Sequence, residues 1–173
     1  MYLKRKHNMK HILIILLFLY PLTNTFAQSI YDVNKISDDL KKDAIAVVRN
    51  EEQFIDVKNI GSAQYEYKIA ITVLNKAGDD LAEMEEVYDN FSNISNIKAS
   101  LYDASGKKIK DYKSADIQDQ LASDGFSLFQ DNRVKLLKFV SNVYPYTIEY
   151  SFTQNFKGLL ALPSWREFKG FGI

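Results

Sequence analysis

The chain contains no cysteine in its 173 residues and only two histidines, His7 and His11. The absence of cysteine excludes disulfide bonds, cysteine nucleophiles and lipid attachment through an N-terminal cysteine. From residue 12 onward there is no imidazole either. A Cys–His or Ser–His–Asp catalytic system and a zinc site of the usual Cys/His kind are therefore excluded from that part of the chain.

The N-terminal apolar run is too short to cross a bilayer, which takes roughly 20 residues. It covers residues 12–20 and stops at Pro21. A basic stretch precedes it and a small-residue stretch follows, the order typical of a secretory signal peptide. We expect residues 1–27 to be a signal helix that is cleaved between Ala27 and Gln28, with an uncleaved anchor as the alternative. The predicted location is the periplasm or cell envelope, with membrane contact only through an uncleaved signal segment.

Basic charge of the kind that binds nucleic acid is also scarce. Cleavage removes four basic residues, Lys4, Arg5, Lys6 and Lys10, and leaves 18 basic against 22 acidic side chains, a formal charge of −4. Phosphate neutralisation requires clustered Lys and Arg. We therefore predict that the protein has no nucleic-acid partner.

What the sequence does contain is a period of two, typical of strands with one buried face. Residues 65–73 and 144–152 alternate apolar or aromatic with polar side chains. Further strands are predicted over residues 44–49, 53–58, 82–88, 94–102, 107–112 and 133–139. The expected fold is mainly β: a single antiparallel β-sandwich domain over residues 28–173, after the signal helix.

Glycine-containing stretches at 75–79 and 103–107 predict two hairpin turns, because short hairpin loops favour residues that adopt positive φ. Weak helical signals occur in "VNKISDDLKKD" near the predicted mature N-terminus and in "SADIQDQLA", where Ser114 could cap one turn. The acidic run "DDLAEMEEVYD" predicts an exposed strand with a charged face. A surface for cations or a basic peptide is the alternative reading of this run.

The stretch 114–132, predicted to contain no strand, carries Asp116, Asp119, Asp124 and Asp131. Oxygen-rich loops can hold calcium, but this spacing matches no metal-loop pattern, so we favour a solvated connection and expect no metal and no cofactor. Core packing accounts for most of the aromatic residues. A possible interaction surface remains, composed of Tyr144, Tyr146, Tyr150 and Trp165.

Six segments in order resemble the domain of unknown function 3857 found in exported proteins of Bacteroidetes-type bacteria. They are "KDAIAVVRNEEQFIDV", "ITVLNKAGD", "IKASLYDASGKKIKDYKSADIQD", "SLFQDNRVKLLKF", "YPYTIEYSF" and "LPSW". The resemblance implies a β-sandwich that precedes a transglutaminase-like domain. In that arrangement the catalytic Cys, His and Asp belong to the following domain, so no catalytic residue is assigned here.

Longer relatives continue with more strands where this chain ends at Ile173. The resemblance therefore predicts an N-terminal module that is incomplete at its C-terminal end, with the 144–152 strand or its neighbour keeping an unpaired edge. The expected function is a non-enzymatic accessory or interaction module whose partner in longer relatives is the transglutaminase-like domain in cis. The alternative is a free-standing envelope protein that binds peptide or glycan through an aromatic sheet face. An enzyme that uses carboxylates alone is a third, disfavoured hypothesis.

Overall fold

The structure, a computed structural model, describes residues 29–122, 131–160 and 162–163. This described part contains eight β-strands in two antiparallel sheets. The strands are β1 (Ala46–Asn59), β2 (Ser62–Val73), β3 (Glu83–Tyr88), β4 (Ser92–Tyr102), β5 (Lys108–Tyr112), β6 (Gln118–Leu121), β7 (Arg133–Lys138) and β8 (Tyr146–Phe156). The helical segments are short: 3-10 helices at Val33–Lys35, Lys76–Leu81 and Ser114–Asp116, and an α-helix at Asp38–Lys41. The predicted mainly β, antiparallel fold is confirmed.

The larger sheet has the strand order β1-β2-β8-β4-β5 and the smaller sheet the order β3-β7-β6. The alternation in β2 and β8 sets the register of the larger sheet. Ile69 pairs with Tyr150 and Ile71 with Ile148, so the apolar rows of both strands lie on one face. The other face carries their polar residues, and we call it the outer face.

The hydrophobic core lies between the two sheets. Met84 and Leu137, paired across the smaller sheet, are buried against the apolar rows of the larger one. Phe139, just after β7, packs its ring 5.0 Å from that of Tyr112 and 6.2 Å from that of Tyr150. Burying one such aromatic side chain contributes on the order of 1.5–3 kcal/mol, so Phe139 is a main contact between the sheets.

Strand β8 lies at the centre of the larger sheet. The alternation over residues 144–152 predicted its first part. Strand β8 pairs with β2 on one side and with β4 on the other, and both of these neighbours have a second partner strand. The prediction that this strand or its neighbour keeps an unpaired edge is therefore wrong. The edges of the larger sheet are β1 and β5.

The predicted hairpin at 103–107 is confirmed, with Gly106 at a φ of 77° between β4 and β5. The predicted hairpin at 75–79 is wrong, because this stretch enters the 3-10 helix Lys76–Leu81, which carries the chain from the larger sheet to the smaller one. Gly78 is required there for close packing. A Cβ atom at this position would lie 2.6 Å from the carbonyl oxygen of Ile45.

Residues 29–36, which we call the N-terminal strap, lie against the larger sheet and the β4–β5 turn. Ser29 Oγ donates a hydrogen bond of 2.7 Å to the carbonyl of Gly106. The guanidinium of Arg49 donates to three carbonyl oxygens of the strap at 3.0–3.4 Å. Tyr31 is buried at the centre of these contacts. The first described residues therefore already belong to the folded domain.

Several predictions concern residues outside the described ranges. They are the signal helix over 1–27, the cleavage site Ala27–Gln28 and the predicted surface residue Trp165. None of the helices in the described ranges has the length and hydropathy of a membrane span.

Candidate interaction surface

A groove of about 650 Å³ crosses the outer face of the larger sheet, and four adjacent strands, β1, β2, β8 and β4, line it. The pairing of the strands sets its polar row: Glu52 lies opposite Lys68, Lys68 opposite Ser151, and Ser151 opposite Lys98. Because side chains alternate across a strand, these residues project to the side away from the core. We call this feature the outer-face groove.

The side chain of Phe54 on β1 borders the outer-face groove and is 60% exposed. Phe54 pairs with Glu66 of β2 on the polar side of the sheet. Its ring therefore makes little contribution to the core between the sheets. An aromatic ring left in contact with water beside polar groups is available to a ligand.

A two-residue bulge in β4 forms another part of the groove. Asn96 and Ile97 lie between the paired residues Ser95 and Lys98 and have no partner of their own in β8. Asn96 has a φ of 53°, in the left-handed region that Asn adopts more readily than most residues. Its side-chain nitrogen lies 3.4 Å from Oγ1 of Thr153. Bulges re-aim side chains and are frequent beside functional sites; this one directs Asn96 to the groove.

The carboxylate of Glu149 stands next to the groove, and Lys68 and Tyr102 are among the donors that hold it. Lys68 Nζ lies 2.8 Å from Oε1, and the Tyr102 hydroxyl donates to Oε2 at 2.7 Å. Burial acts to raise the pKa of Glu149, but the hydrogen bonds from Lys68 and Tyr102 outweigh it, so the pKa lies below its ordinary value. Burial and the adjacent Glu149 raise the pKa of Tyr102 to about 12. At neutral pH the carboxylate of Glu149 is therefore ionised and paired with Lys68, whereas the hydroxyl of Tyr102 keeps its proton.

The most perturbed carboxyl group lies elsewhere, in the space between the two sheets. Glu86 on β3 belongs to the same row as the buried Met84 and is itself partly buried. Burial, with a smaller contribution from Glu85, raises the pKa of Glu86 to about 7. Tyr65 and Tyr150 of the larger sheet interact electrostatically with it. A carboxyl that titrates near neutral pH is a candidate functional group, although the described residues include no Cys or His to act with it.

The aspartates of the 114–132 stretch take part in separate contacts. Asp119 lies on β6, which the sequence did not predict, and it pairs with Arg133 and Lys135 at 2.9 and 2.8 Å. Asp116 accepts from the Lys113 backbone, and Asp131 from the side chain of Asn90. Among the described residues no group of three or more His, Cys, Asp or Glu lies close enough to hold a metal ion. Asp124 is outside the described ranges.

The predicted tyrosine surface is not assembled. Tyr146 and Tyr150 are 1% and 5% exposed, because they belong to the inward row of β8, so they are core residues. Tyr144 is partly exposed and lines a second groove, of about 460 Å³, at one end of the sandwich. The hydroxyls of Tyr144 and Tyr146 both donate to Asp79, at 2.7 and 3.0 Å. Of the described members of the predicted surface, only Tyr144 reaches a groove.

Sequence reasoning missed Phe54 and Asn96. The sequence did contain a signal for Phe54. Phe54 and Ile55 are neighbours in the predicted 53–58 strand, so their side chains point to opposite faces of the sheet and one of the two cannot face the core. Asn96 gave no comparable signal. A bulge shifts the register without altering the local composition.

Residues 59–167 match the sequence profile of a family described as a Domain of Unknown Function with solved structure, DUF3857. This match confirms the resemblance drawn from the six segments. A solved structure from Parabacteroides distasonis, described as a "putative protease", has a similar fold, with a TM-score of 0.58 and 12% sequence identity. The similarity covers 66% of this chain and 23% of that one, so the chain spans about a quarter of that protein's length. No curated protein shows significant similarity to the chain.

Proposed function

The chain belongs to the DUF3857 family, and from that membership we propose that it is an exported, non-catalytic β-sandwich module that acts by contact with another domain. In longer relatives this domain is the transglutaminase-like domain, in cis. One observation carries the non-catalytic part of the proposal: from residue 12 onward the chain has neither Cys nor His. Transglutaminase-like chemistry requires an activated thiol and its base, so the module would depend on its neighbour for both.

The end of the sandwich where β8 finishes supplies an apolar surface for this contact. Phe91 is 64% exposed, and Leu159 and Leu160 are 37% and 106% exposed. The amide of Lys157 donates to the carbonyl of Phe91 at 2.7 Å, which places Phe91 beside the chain as it leaves β8. We call Phe91, Leu159 and Leu160 the exit surface. Large apolar side chains exposed at one end of a domain favour association with another domain.

Export is supported by the position at which the fold begins. Ser29 already bonds to the β4–β5 turn and Tyr31 is buried, so cleavage between Ala27 and Gln28 would leave these contacts intact. Intact-mass measurement on protein from the cell envelope should give a chain that starts at Gln28. Recovery of the uncleaved chain would contradict this part of the proposal.

The contact is tested by mixing the purified chain with the separately expressed transglutaminase-like domain of a longer family member. Isothermal titration calorimetry should detect binding, and the double variant F91A/L160A should weaken it at least tenfold because it removes most of the exit surface. Phe54→Ala is the matched control, since Phe54 is similarly exposed, at 60%, but lies on the outer face. Absence of binding, or equal losses in both variants, would refute the exit surface as the contact.

The non-catalytic assignment has its own test. Transamidation and peptide-hydrolysis assays of the purified chain should give the same rates as buffer. Reproducible turnover that a single Asp or Glu substitution abolishes would overturn the assignment and favour carboxylate chemistry.

A further inference from the structure

We propose that the outer-face groove binds an uncharged oligosaccharide. This inference goes beyond the module's contact with another domain and does not depend on it, because the groove and the exit surface are formed by different residues. It follows from the hydrogen-bonding groups, the exposed ring, the charge balance and the dimensions of the groove.

The hydrogen-bonding groups of the groove suit a ligand rich in hydroxyls. Asn96 offers a donor and an acceptor, Ser151 and Thr153 offer hydroxyls, and the carboxylates of Glu52 and Glu66 accept. A sugar hydroxyl both donates and accepts, so it can use all of these groups at once. An apolar ligand would leave them unsatisfied, at a cost in binding free energy.

The ring of Phe54 supplies the apolar part of the site. It is 60% exposed and stands beside Glu66, so a flat face of carbon-bound hydrogens can cover it while the adjacent carboxylate accepts hydrogen bonds. A pyranose ring presents this combination of an apolar face and polar edges. The bulge at Asn96 is a separate observation at the same groove, since bulges re-aim side chains and are frequent beside functional sites.

The charge balance selects a neutral ligand. Two acidic residues, Glu52 and Glu66, and two basic residues, Lys68 and Lys98, line the groove. Lys68 is in addition paired with Glu149 at 2.8 Å. The carboxylates would repel a polyanion and the lysines would repel a polycation. Because the two signs are balanced, neither kind of ligand is attracted by a net charge of the opposite sign.

The dimensions of the groove favour several sugar units over one. Its volume of about 650 Å³ lies within the ~300–1,000 Å³ range of small-molecule sites. Four strands spaced ~4.8 Å apart make it about 14 Å across. A short oligosaccharide laid across the strands would reach from Phe54 on β1 to Asn96 on β4.

The test is calorimetric titration of the purified chain with four neutral hexasaccharides: maltohexaose, cellohexaose, xylohexaose and hexa-N-acetylchitohexaose. Hexagalacturonate and hexalysine serve as the charged comparators. At least one neutral hexasaccharide should bind and shift the backbone NMR signals of Phe54 and Asn96. Phe54→Ala and Asn96→Ala should each weaken that binding at least tenfold, whereas Phe54→Tyr should retain it because the ring is kept.

Phe91→Ala is the matched control, because Phe91 is 64% exposed but lies on the exit surface; it should leave the affinity unchanged. Thermal unfolding of each variant verifies that it is folded, and Phe54→Leu provides a second variant that keeps apolar bulk without a ring. Failure of all four neutral hexasaccharides to bind would overturn the proposal. Tighter binding of hexagalacturonate or hexalysine, or equal losses in Phe54→Ala and Phe91→Ala, would also overturn it.

Discussion

Glu86 should make the stability of this protein fall as the pH rises from acid to neutral, and Glu86→Gln should remove that dependence. Burial raises the pKa of Glu86 to about 7, from an ordinary value of 4.5. Between these two pH values the folded protein keeps the proton while the unfolded chain has lost it, so raising the pH favours unfolding. Below pH 4.5 both states are protonated and this group contributes no penalty. Glutamine imitates the protonated form at every pH.

The size of the effect follows from the change in pKa. One pKa unit corresponds to 1.36 kcal/mol, so a rise from 4.5 to about 7 sets an upper limit of about 3 kcal/mol. The side chain is only partly buried, and solvent screening lowers the expected loss to about 2 kcal/mol. Lys135 lies opposite Glu86 across the strands, but its Nζ is paired with Asp119 at 2.8 Å and does not neutralise Glu86.

The assay is urea unfolding followed by circular dichroism at several pH values between 4 and 8. Wild-type stability relative to Glu86→Gln should decline across this range, and the variant should be the more stable protein at pH 7.5. Taking the difference cancels groups such as Asp119, whose lowered pKa acts below pH 4. Glu85→Gln is the control and should retain most of the slope, because Glu85 is exposed. Equal slopes in wild type and Glu86→Gln, or a less stable variant at pH 7.5, would refute the reasoning.

Two further predictions concern the turn under the strap and the ion pairs of the smaller sheet. Gly106→Ala should lower the free energy of unfolding by about 2–4 kcal/mol and speed amide exchange at Val33, because its Cβ would lie 2.2 Å from Ser29 Oγ at a φ of 77°. Gly158→Ala is the control and should lower the stability less, since Gly158 has a φ of 117° but no neighbour within 4 Å. An equal loss in both variants would show that the N-terminal strap moves aside at no cost. Asp119→Asn should lose about 1 kcal/mol at pH 7. Lys135 first, with Tyr88 and Arg133, lowers the pKa of Asp119 to about 2, so its stabilisation decreases as the pH falls through that value and the loss should vanish about one pH unit below it. Urea unfolding at pH 7 and well below the folded pKa checks this, and a loss of equal size at both pH values would contradict it.

The fold was predictable wherever one face of a strand is buried, because burial imposes the period of two. It was less predictable for two of the edge strands, β1 and β6. β1 was read as two strands because Asn50, Glu51 and Glu52 interrupt its apolar pattern, yet the structure continues through them from Ala46 to Asn59. β6, at the edge of the smaller sheet, has four exposed residues and no apolar row to detect.

The candidate site was less predictable than the fold, since it depends on how strands are placed beside one another. Alternation shows that a strand has two different faces but not which face is covered by another sheet. The aromatic residues of β8 therefore suggested a ligand-binding face, whereas in the structure they belong to the core. The order β1-β2-β8-β4 brings Phe54 and Asn96 to one groove although they are far apart in the chain. Neither the order nor the bulge that directs Asn96 is encoded in a local pattern.

Substitutions at two exposed phenylalanines, Phe54 and Phe91, can test the two activities proposed for this sandwich independently. Phe54 lines the outer-face groove, whereas Phe91 lies beside the chain as it leaves β8 and is not among the groove's lining residues. Substitutions at distant sites without shared partners are additive, so Phe54→Ala should affect oligosaccharide binding alone, and F91A/L160A domain contact alone. If both variants impaired both activities, the groove and the exit surface would be coupled through the sheet, and the module would transmit ligand binding to its neighbour. If each variant impaired one, the sandwich would be a rigid body that holds a bound glycan at a fixed position relative to the neighbouring domain.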